Sequence, residues 1–566
     1  MSKILWVVSA LLLAAIAGCT SFNPAPAPPP NTSQVSGTTA QMPPDQAYRY
    51  LADRAQKGEV VGDLVTPEAQ TRVTVMAESI VVGLEGRGTD RYDSKLKPSL
   101  TKLLVKNFDS LDIASQIINS KDGAPVRVTA EIPPLVRKGD KIDIMVESLD
   151  PSVNIEGGTL IDTPLERFVQ LGIPTHAGFR TRSGLVSQGI EGFARGDVTL
   201  NAGYKNGVRL KGEVPTVGYI PAGGMSEKTW GYRLMLKKPD AYTSQLIEAA
   251  FQNRFSNWLN VKNSQGSAST SEFVIISMPN RYQGYWKRYL DVVLRIPVRP
   301  PVKEERLRDI DRLAASLNSA DPQARYESEC ALEAYGREAA PALFELLRTS
   351  NVGARQSALR VLAFVDDART VDPLVDESRR SQGRFRAESA YLLSILGGER
   401  GERRLSESDR INQRLVEMLD DPDPQARFTA LMALERTGVK EAPVRIYYSP
   451  EARSFAMYLV ETRGEQAVVV SAEDSVRRIA IFGANVRVKS PFRGGVGPVT
   501  LNVTPDGIEI QHKRREGSAP ILLRTHEVAN LVSALDRMYV SINDILGVLS
   551  QLNERGAIDA KMYWAE

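Results

Sequence analysis

Between Ala124 and Thr163 the chain alternates apolar and polar positions at period two. Val126, Val128 and Ala130, then Ile142, Ile144 and Val146, put apolar side chains on one face of two half-buried strands. Pro133 and Pro134 cannot donate to a ladder and Gly139 lies in the Arg137–Asp140 stretch, so a tight turn is predicted between them. Gly157 and Gly158 mark a second turn before a strand at Thr159–Thr163. Upstream, Val73 with Val75 and Ile80–Val82 read as strands, and Leu100–Val105 with Ile113–Ile118 as a helix. Downstream come a strand at Leu234–Leu236, a Lys-Lys-Pro-Asp turn, and an amphipathic helix over Ala241–Phe255. Tyr285–Val298 closes this half as a helix or a strand.

From Glu304 to about Thr437 the period becomes helical, and a pattern recurs: Arg325 with Leu332, Arg355 with Leu362, Arg386 with Leu393, Arg427 with Leu434. The constant spacing sets each arginine near a helix start and each leucine about two turns on, facing inward. Asp321-Pro322 and Asp423-Pro424 supply helix-start residues. This resembles HEAT-type repeats, helix pairs that bury a core only against their neighbours. The arginine column reads either as a binding ridge or as packing between repeats, and packing is favoured because long charged stems cover apolar surface.

Beyond Val444 strands return, with Pro505-Asp506-Gly507 inside a hairpin. An amphipathic helix pair follows, carrying Val528, Leu531 and Leu535, then Ile542, Ile545, Leu546 and Leu549.

The first residues show a basic start, an apolar run from Ile4 to Leu13, and Ile16-Ala17-Gly18-Cys19. Residues 1–18 read as a signal peptide. Ile16-Ala17-Gly18-Cys19 resembles a bacterial lipobox, which implies lipidation of Cys19 and, with Thr20 following rather than Asp, an outer-membrane anchor facing the periplasm. Seven prolines between Thr20 and Pro44 make residues 19–44 an extended tether. Residues 45–70 are a lead-in, with a short helix over 45–60.

The chain of 566 residues is 42% apolar and 25% charged, with 71 Lys and Arg against 68 acids. A net charge of +3 argues against a nucleic-acid partner. With Cys19 acylated, Cys330 has no partner, and on an apolar helical face it reads as a buried structural thiol. His176, His512 and His526 lack metal-ligand spacing, so no catalytic residue, metal site or cofactor is expected. Gly83, Gly86 and Gly88 follow a strand, but no Gly-Lys-Ser/Thr follows them, which excludes a phosphate loop. Lys513, Arg514 and Arg515 read as a solvated loop.

Four blocks resemble the flagellar P-ring protein family. They are Val81-Val82-Gly83-Leu84 before a glycine turn; Pro133-Pro134, Gly139, Ile142-Asp143 and Gly157-Gly158-Thr159-Leu160 with Thr163-Pro164; Gly218, Ile220 and Pro221; and Asp544 with Gly556-Ala557. Arg87 and Thr89 alter the spacing of the first turn, Tyr219 and Ala222 stand where the family has arginine and asparagine, and Ile558 replaces a leucine. The resemblance implies a non-enzymatic periplasmic protein that forms a homo-oligomeric ring around the rod of the flagellar basal body, next to the L-ring, and supports motility. The lipid anchor and the repeats depart from that family, and the repeats are expected to form a lateral binding arm or an extra interface outside the ring, removable without loss of assembly. A second reading is a lipoprotein adaptor that binds a periplasmic partner; a third, an enzyme, lacks a reactive constellation. The fold class is α+β and multidomain: P-ring-like α+β residues 71–302, HEAT-like helices 303–440 and a β-rich region with terminal helices 441–566.

Overall fold

A computed structural model describes residues 59–68, 72–173, 182–205, 208–210, 214–255, 270–397, 405–439, 443–448, 455–471, 476–512 and 520–565. Cys19, the proline-rich tether, His176 and the Lys513–Arg515 run lie outside them. So does the helix expected over 45–60, except for Glu59–Val60, which form a short strand against Pro297–Arg299.

The alternating segments build a closed six-stranded barrel. Its strands are β1 (Val73–Val82), β2 (Ala124–Ile132), β3 (Lys141–Ser148), β4 (Thr159–Ile173), β5 (Arg182–Asp197) and β6 (Val217–Ser226), ordered β6-β3-β2-β1-β4-β5. Val128 faces Val146 and Ala130 faces Ile144 across β2 and β3, so the two predicted strands pair through their apolar positions. Pairing of Gly224 with Ala194 joins β6 to β5 and removes the last free edge. The interior is packed with Val75, Val126, Val128, Ile144, Val146, Leu165 and Ile220. A Cβ on Gly224 would lie 2.6 Å from Ile142 Cγ1, so closure depends on a bare backbone there.

Two local expectations are corrected here. The tight turn after β2 is a loop of residues 133–140, because the proline pair stops the ladder and Leu135 takes φ 64 and buries its side chain in the neighbouring core. That loop is pinned: Gly139, at φ 90, donates its amide to Ser226 O at 2.8 Å, and Val136 O accepts from Trp230 N at 2.7 Å. The single helix expected before β2 is two, α1 (Lys97–Phe108) and α2 (Leu111–Ile118), split at Asp109, whose φ of 52 ends the first.

Next come β7 (Tyr232–Leu236), α3 (Ala241–Phe255) and β8 (Phe273–Ile276), with Val65–Pro67 pairing on the free side of β7. Tyr285–Val298 is both of the structures it was read as, helix α4 (Trp286–Val293) and then a strand at Pro297–Arg299.

The repeats follow: α5 (Lys303–Ser316), α6 (Pro322–Tyr335), α7 (Ala340–Leu346), α8 (Val352–Val365), α9 (Val371–Arg380), α10 (Arg384–Gly397), α11 (Leu405–Glu417) and α12 (Pro424–Thr437). Asp321 accepts from Gln323 N and Asp423 from Gln425 N, each at 3.0 Å, capping α6 and α12 as their Asp-Pro pairs predict. The arginine column is internal. Arg325 donates to Ser319 O at 2.6 Å and Arg355 to Thr349 O at 2.9 Å; Arg427 makes the same bond to Asp421 O, each spanning six residues. Arg386 instead pairs with Asp421 at 2.7 Å, linking one repeat to the next.

The C-terminal region holds β9 (Val444–Tyr448), β10 (Phe455–Val460), β11 (Ala467–Ser471), β12 (Arg477–Phe482), β13 (Phe492–Val496), β14 (Val499–Thr504), β15 (Gly507–His512), β16 (Ile521–Leu523), helices α13 (Val528–Arg537) and α14 (Ile542–Glu554), and β17 (Lys561–Trp564). The hairpin at Pro505-Asp506 joins β14 to β15 as expected. The first sheet, β9-β10-β12-β11-β17, is mixed, with β10 parallel to β12 and β11 parallel to β17.

This sheet separates two cores. Ala456, Tyr458, Val469, Ala480 and Phe482 point into a core shared with Leu234, Phe255, Tyr282 and Tyr289 of the first half and Phe364, Leu392 and Leu431 of the repeats. Their neighbours Met457, Val468, Val470, Ile479 and Ile481 point the other way, onto the second sheet and helices α13 and α14. Strands buried on both faces read as apolar runs such as Ala467–Val470. The repeats are therefore not a lateral arm: they complete a core to which both flanking segments contribute.

At that seam the Arg288 guanidinium, buried, sits 2.8 Å from Glu329 and 2.6 Å from Glu333, and Arg360 bridges Glu329 at 2.5 Å and Glu388 at 2.6 Å. Tyr282, stacked on Phe364 with centroids 5.0 Å apart, donates its hydroxyl to Glu333.

Candidate functional site

The polar residues that join distant parts of the chain gather where the barrel meets the C-terminal sheet. On β6, Pro221 sits in a bulge between Ile220 and Gly224, a position where a strand tolerates a residue without an N–H. Ala222 takes φ 53 there and donates its amide to Asp143 Oδ1 at 2.8 Å. The same carboxylate is gripped by Arg477 of β12, Nη1 to Oδ1 and Nη2 to Oδ2, both at 3.1 Å. Arg477 is buried and Asp143 half open to solvent.

Beside this pair, Asn201 Nδ2 donates to Asn543 O at 3.0 Å and Asn543 Nδ2 donates to Asn201 O at 2.7 Å. Thr199 donates to Asp544 Oδ2 at 3.1 Å. Ser541 donates to that oxygen at 2.7 Å and accepts from Asp544 N at 3.2 Å, the N-cap that starts α14. A side chain on Gly497, at φ 56, would stand 3.1 Å from Asp544 Oδ1. The barrel is thus fastened to the start of α14 by paired amides and a cap carboxylate, and to β12 by a bidentate ion pair.

Asp143 and Asp544, both singled out in the sequence, meet at this junction. Gly218 supports it, because a Cβ there would be 2.2 Å from Val198 Cγ1, next to Thr199. Sequence reasoning missed Thr199, Asn201, Asn543 and Arg477. Only Asn543, adjacent to Asp544, carried a usable signal.

The remaining signature residues lie elsewhere and make turns or fill the barrel. Gly83 and Gly157 both take φ 77, and buried Leu84 donates its amide to Asp122 O at 3.0 Å. Gly158 packs under Val81, Thr159 donates to Asp197 at 2.6 Å, and Pro164 lies opposite Phe193. Pro133, Pro134 and Gly139 belong to the pinned loop, and buried Ile220 to the barrel core. Gly556 at φ 64 ends α14, and Ala557 O accepts from Lys489 N at 2.7 Å. Cys330 is buried, and burial pushes its thiol up to about 12. Among the described residues no three His, Cys, Asp or Glu side chains converge to hold a metal, and no helix is long and apolar enough to cross a membrane.

The family model for the flagellar P-ring protein covers the barrel, the β7–β8 sheet and the beginning of α5. Residues 61–307 match that family model. Individual P-ring proteins are similar to this chain at modest identity. The P-ring protein of Geobacter sulfurreducens is 30% identical over 229 residues, 39% of this chain and 56% of its own length. That of Caulobacter vibrioides is 29% identical over 212 residues, 36% and 53% of the two chains, and that of Sulfurimonas denitrificans 34% over 179 residues, 31% and 44%. The chain spans about half the length of the curated relatives it matches. Among solved structures, the CpcE–CpcF complex of phycocyanin lyase from Nostoc is similar over 24% of this chain and 82% of that one, with 24% identity and a TM-score of 0.22. The chain is an α+β protein in which a region similar to the P-ring family leads into a series of paired helices.

Proposed function

We propose that this protein is a structural, non-catalytic subunit of a P-ring-like ring that surrounds the rod of the flagellar basal body in the periplasm and supports motility. The P-ring family domain over residues 61–307 carries this reading. Lipidated Cys19 anchors the subunit to the outer membrane, and its partners are further copies of the chain, the rod and the L-ring. The signature residues of the barrel and of α14 act as structural positions that hold the subunit in shape, and residues 441–566 extend the P-ring likeness to the C-terminal side.

A ring needs one heterologous interface repeated around an axis. The α1–α2 hairpin supplies a candidate contact: Phe108, Leu111 and Ile113 are exposed around its tip, Leu111 at 63%. Particle imaging of detergent-extracted protein tests the reading. Closed rings are expected, and uniformly monomeric particles would reject it. The adaptor reading is favoured by one observation, the broad open face of the repeats, and monomers with a stoichiometric co-purifying protein would support it.

A further inference from the structure

Helices α6, α8, α10 and α12 pack side by side in chain order and together line one wall of an open cavity of about 2020 Å³. The rest of its rim comes from the loop after β2, from Gln283–Arg288 and from Val476 and Arg478. Nine cationic residues line it against five carboxylates. Every one of those carboxylates is already engaged. Glu329 and Glu388 bind arginines, Glu435 accepts from Tyr458 and faces Arg478, Asp140 accepts from Arg137 N, and Asp423 caps α12.

Five cations are left without a carboxylate among the described residues: Lys141, Lys287, Arg325, Arg384 and Arg436. Arg436 stacks on Tyr391 at 5.1 Å and reaches Gln283 at 3.4 Å with one nitrogen, while its Nη1 has no hydrogen-bond partner. Trp286, 42% exposed, stands on the rim among them. A concave wall with uncompensated guanidinium groups and aromatic rings is complementary to a ligand carrying carboxylates and apolar side chains together.

We propose that this face binds an extended, acidic segment of a partner polypeptide, with apolar side chains between its carboxylates. Four helices at the usual 8–10 Å separation span about 24–30 Å. That length accommodates about eight residues of extended chain. A polynucleotide is disfavoured, since the whole chain carries only +3 and offers little long-range attraction for one.

The test is fluorescence anisotropy on the full chain with a fluorescein-labelled dodecapeptide of alternating Glu and Leu. A Lys-Leu peptide and the carboxylated polysaccharide polygalacturonate serve as comparators. The Glu-Leu peptide should bind, weaken with added salt, and lose about tenfold or more in affinity in the double variant Lys287→Glu, Arg384→Glu, whose two sites are exposed. A photoreactive version of the peptide, used on the unaltered chain, should cross-link to α6, α8, α10 or α12. Unchanged affinity in the folded double variant, equal binding of the Lys-Leu peptide, or cross-links confined to other surfaces would overturn the proposal. Polygalacturonate binding as tightly as the peptide would reassign the face to anionic glycans.

Discussion

Arg477 holds Asp143 through both terminal guanidinium nitrogens at 3.1 Å, although 334 positions separate them in the sequence. The pair ties the outward side of β3 to β12, and so fastens the barrel to the sheet that divides the two cores. Removing Asp143 takes two hydrogen bonds and a negative charge away from a buried guanidinium. Asp143→Ala is expected to cost about 2 kcal/mol, reduced from a fully buried pair because the carboxylate is half exposed. Asp143→Asn should cost less, since it still accepts one bond. Urea unfolding of the two variants against the parent checks this, and identical midpoints would mean the pair contributes nothing.

The cluster around Arg288 has more at stake. Glu333 is fully buried and loses its nearest cation in Arg288→Met, while Glu329, nearly as buried, is left with Arg360 alone. A loss of about 3–5 kcal/mol is expected. Deleting residues 303–440 should yield insoluble protein, because Tyr282, Tyr289 and Phe482 would lose the core they share with the repeats. Soluble, monodisperse deletion protein on size-exclusion chromatography would contradict the shared core.

Acid should weaken the same seam. Burial pushes the Glu329 carboxyl up, but the Arg360 and Arg288 charges outweigh it and hold the group below the ordinary glutamate range. A depressed carboxylate gives its stabilisation in full above the unfolded value of about 4.3, and the contribution is lost as pH falls through the folded value. Stability measured from neutral pH downward should therefore drop below about pH 4, and Glu329→Gln should flatten that part of the profile while lowering stability at neutral pH.

Cys330 should be silent toward thiol reagents in the folded protein. With its thiol pushed up to about 12 and no exposed surface, labelling should proceed only as fast as the surrounding core opens. Mass spectrometry of the Cys330 peptide after maleimide pulses in rising urea reads this directly, and rapid labelling without denaturant would contradict the packing.

For assembly, Leu111→Glu puts a charge on an exposed apolar position at the tip of the α1–α2 hairpin. Rings, if they use this contact, should be lost while the melting temperature stays within about 1 °C of the parent. Intact rings would place the subunit contact elsewhere.

What the sequence revealed depended on how local the cause was. The strands around Val128 and Ile144 and the caps at Asp321 and Asp423 follow from neighbouring residues, and all were legible. Barrel closure was not, since it rests on Gly224 meeting Ala194, and a glycine announces only that something comes close. The sheet between the cores looked like ordinary alternation, because Val469 and Val470 are equally apolar and nothing in either says which core it enters. At the junction, Asp143 and Asp544 stood out through their surroundings in the sequence. Arg477 was one of 71 basic residues, and its importance comes entirely from the partner that folding brings to it.

The strand Phe455–Val460 sends Met457 into one core and Tyr458 into the other. Neither core can be finished while the other is open, so this part of the molecule should gain its structure in a single late step. The partners that must meet there extend from Val61 to Ala565, which sets a high entropic barrier to that step. Refolding should accordingly be slow, with the barrel acquiring amide protection well before β10, β11 and β12.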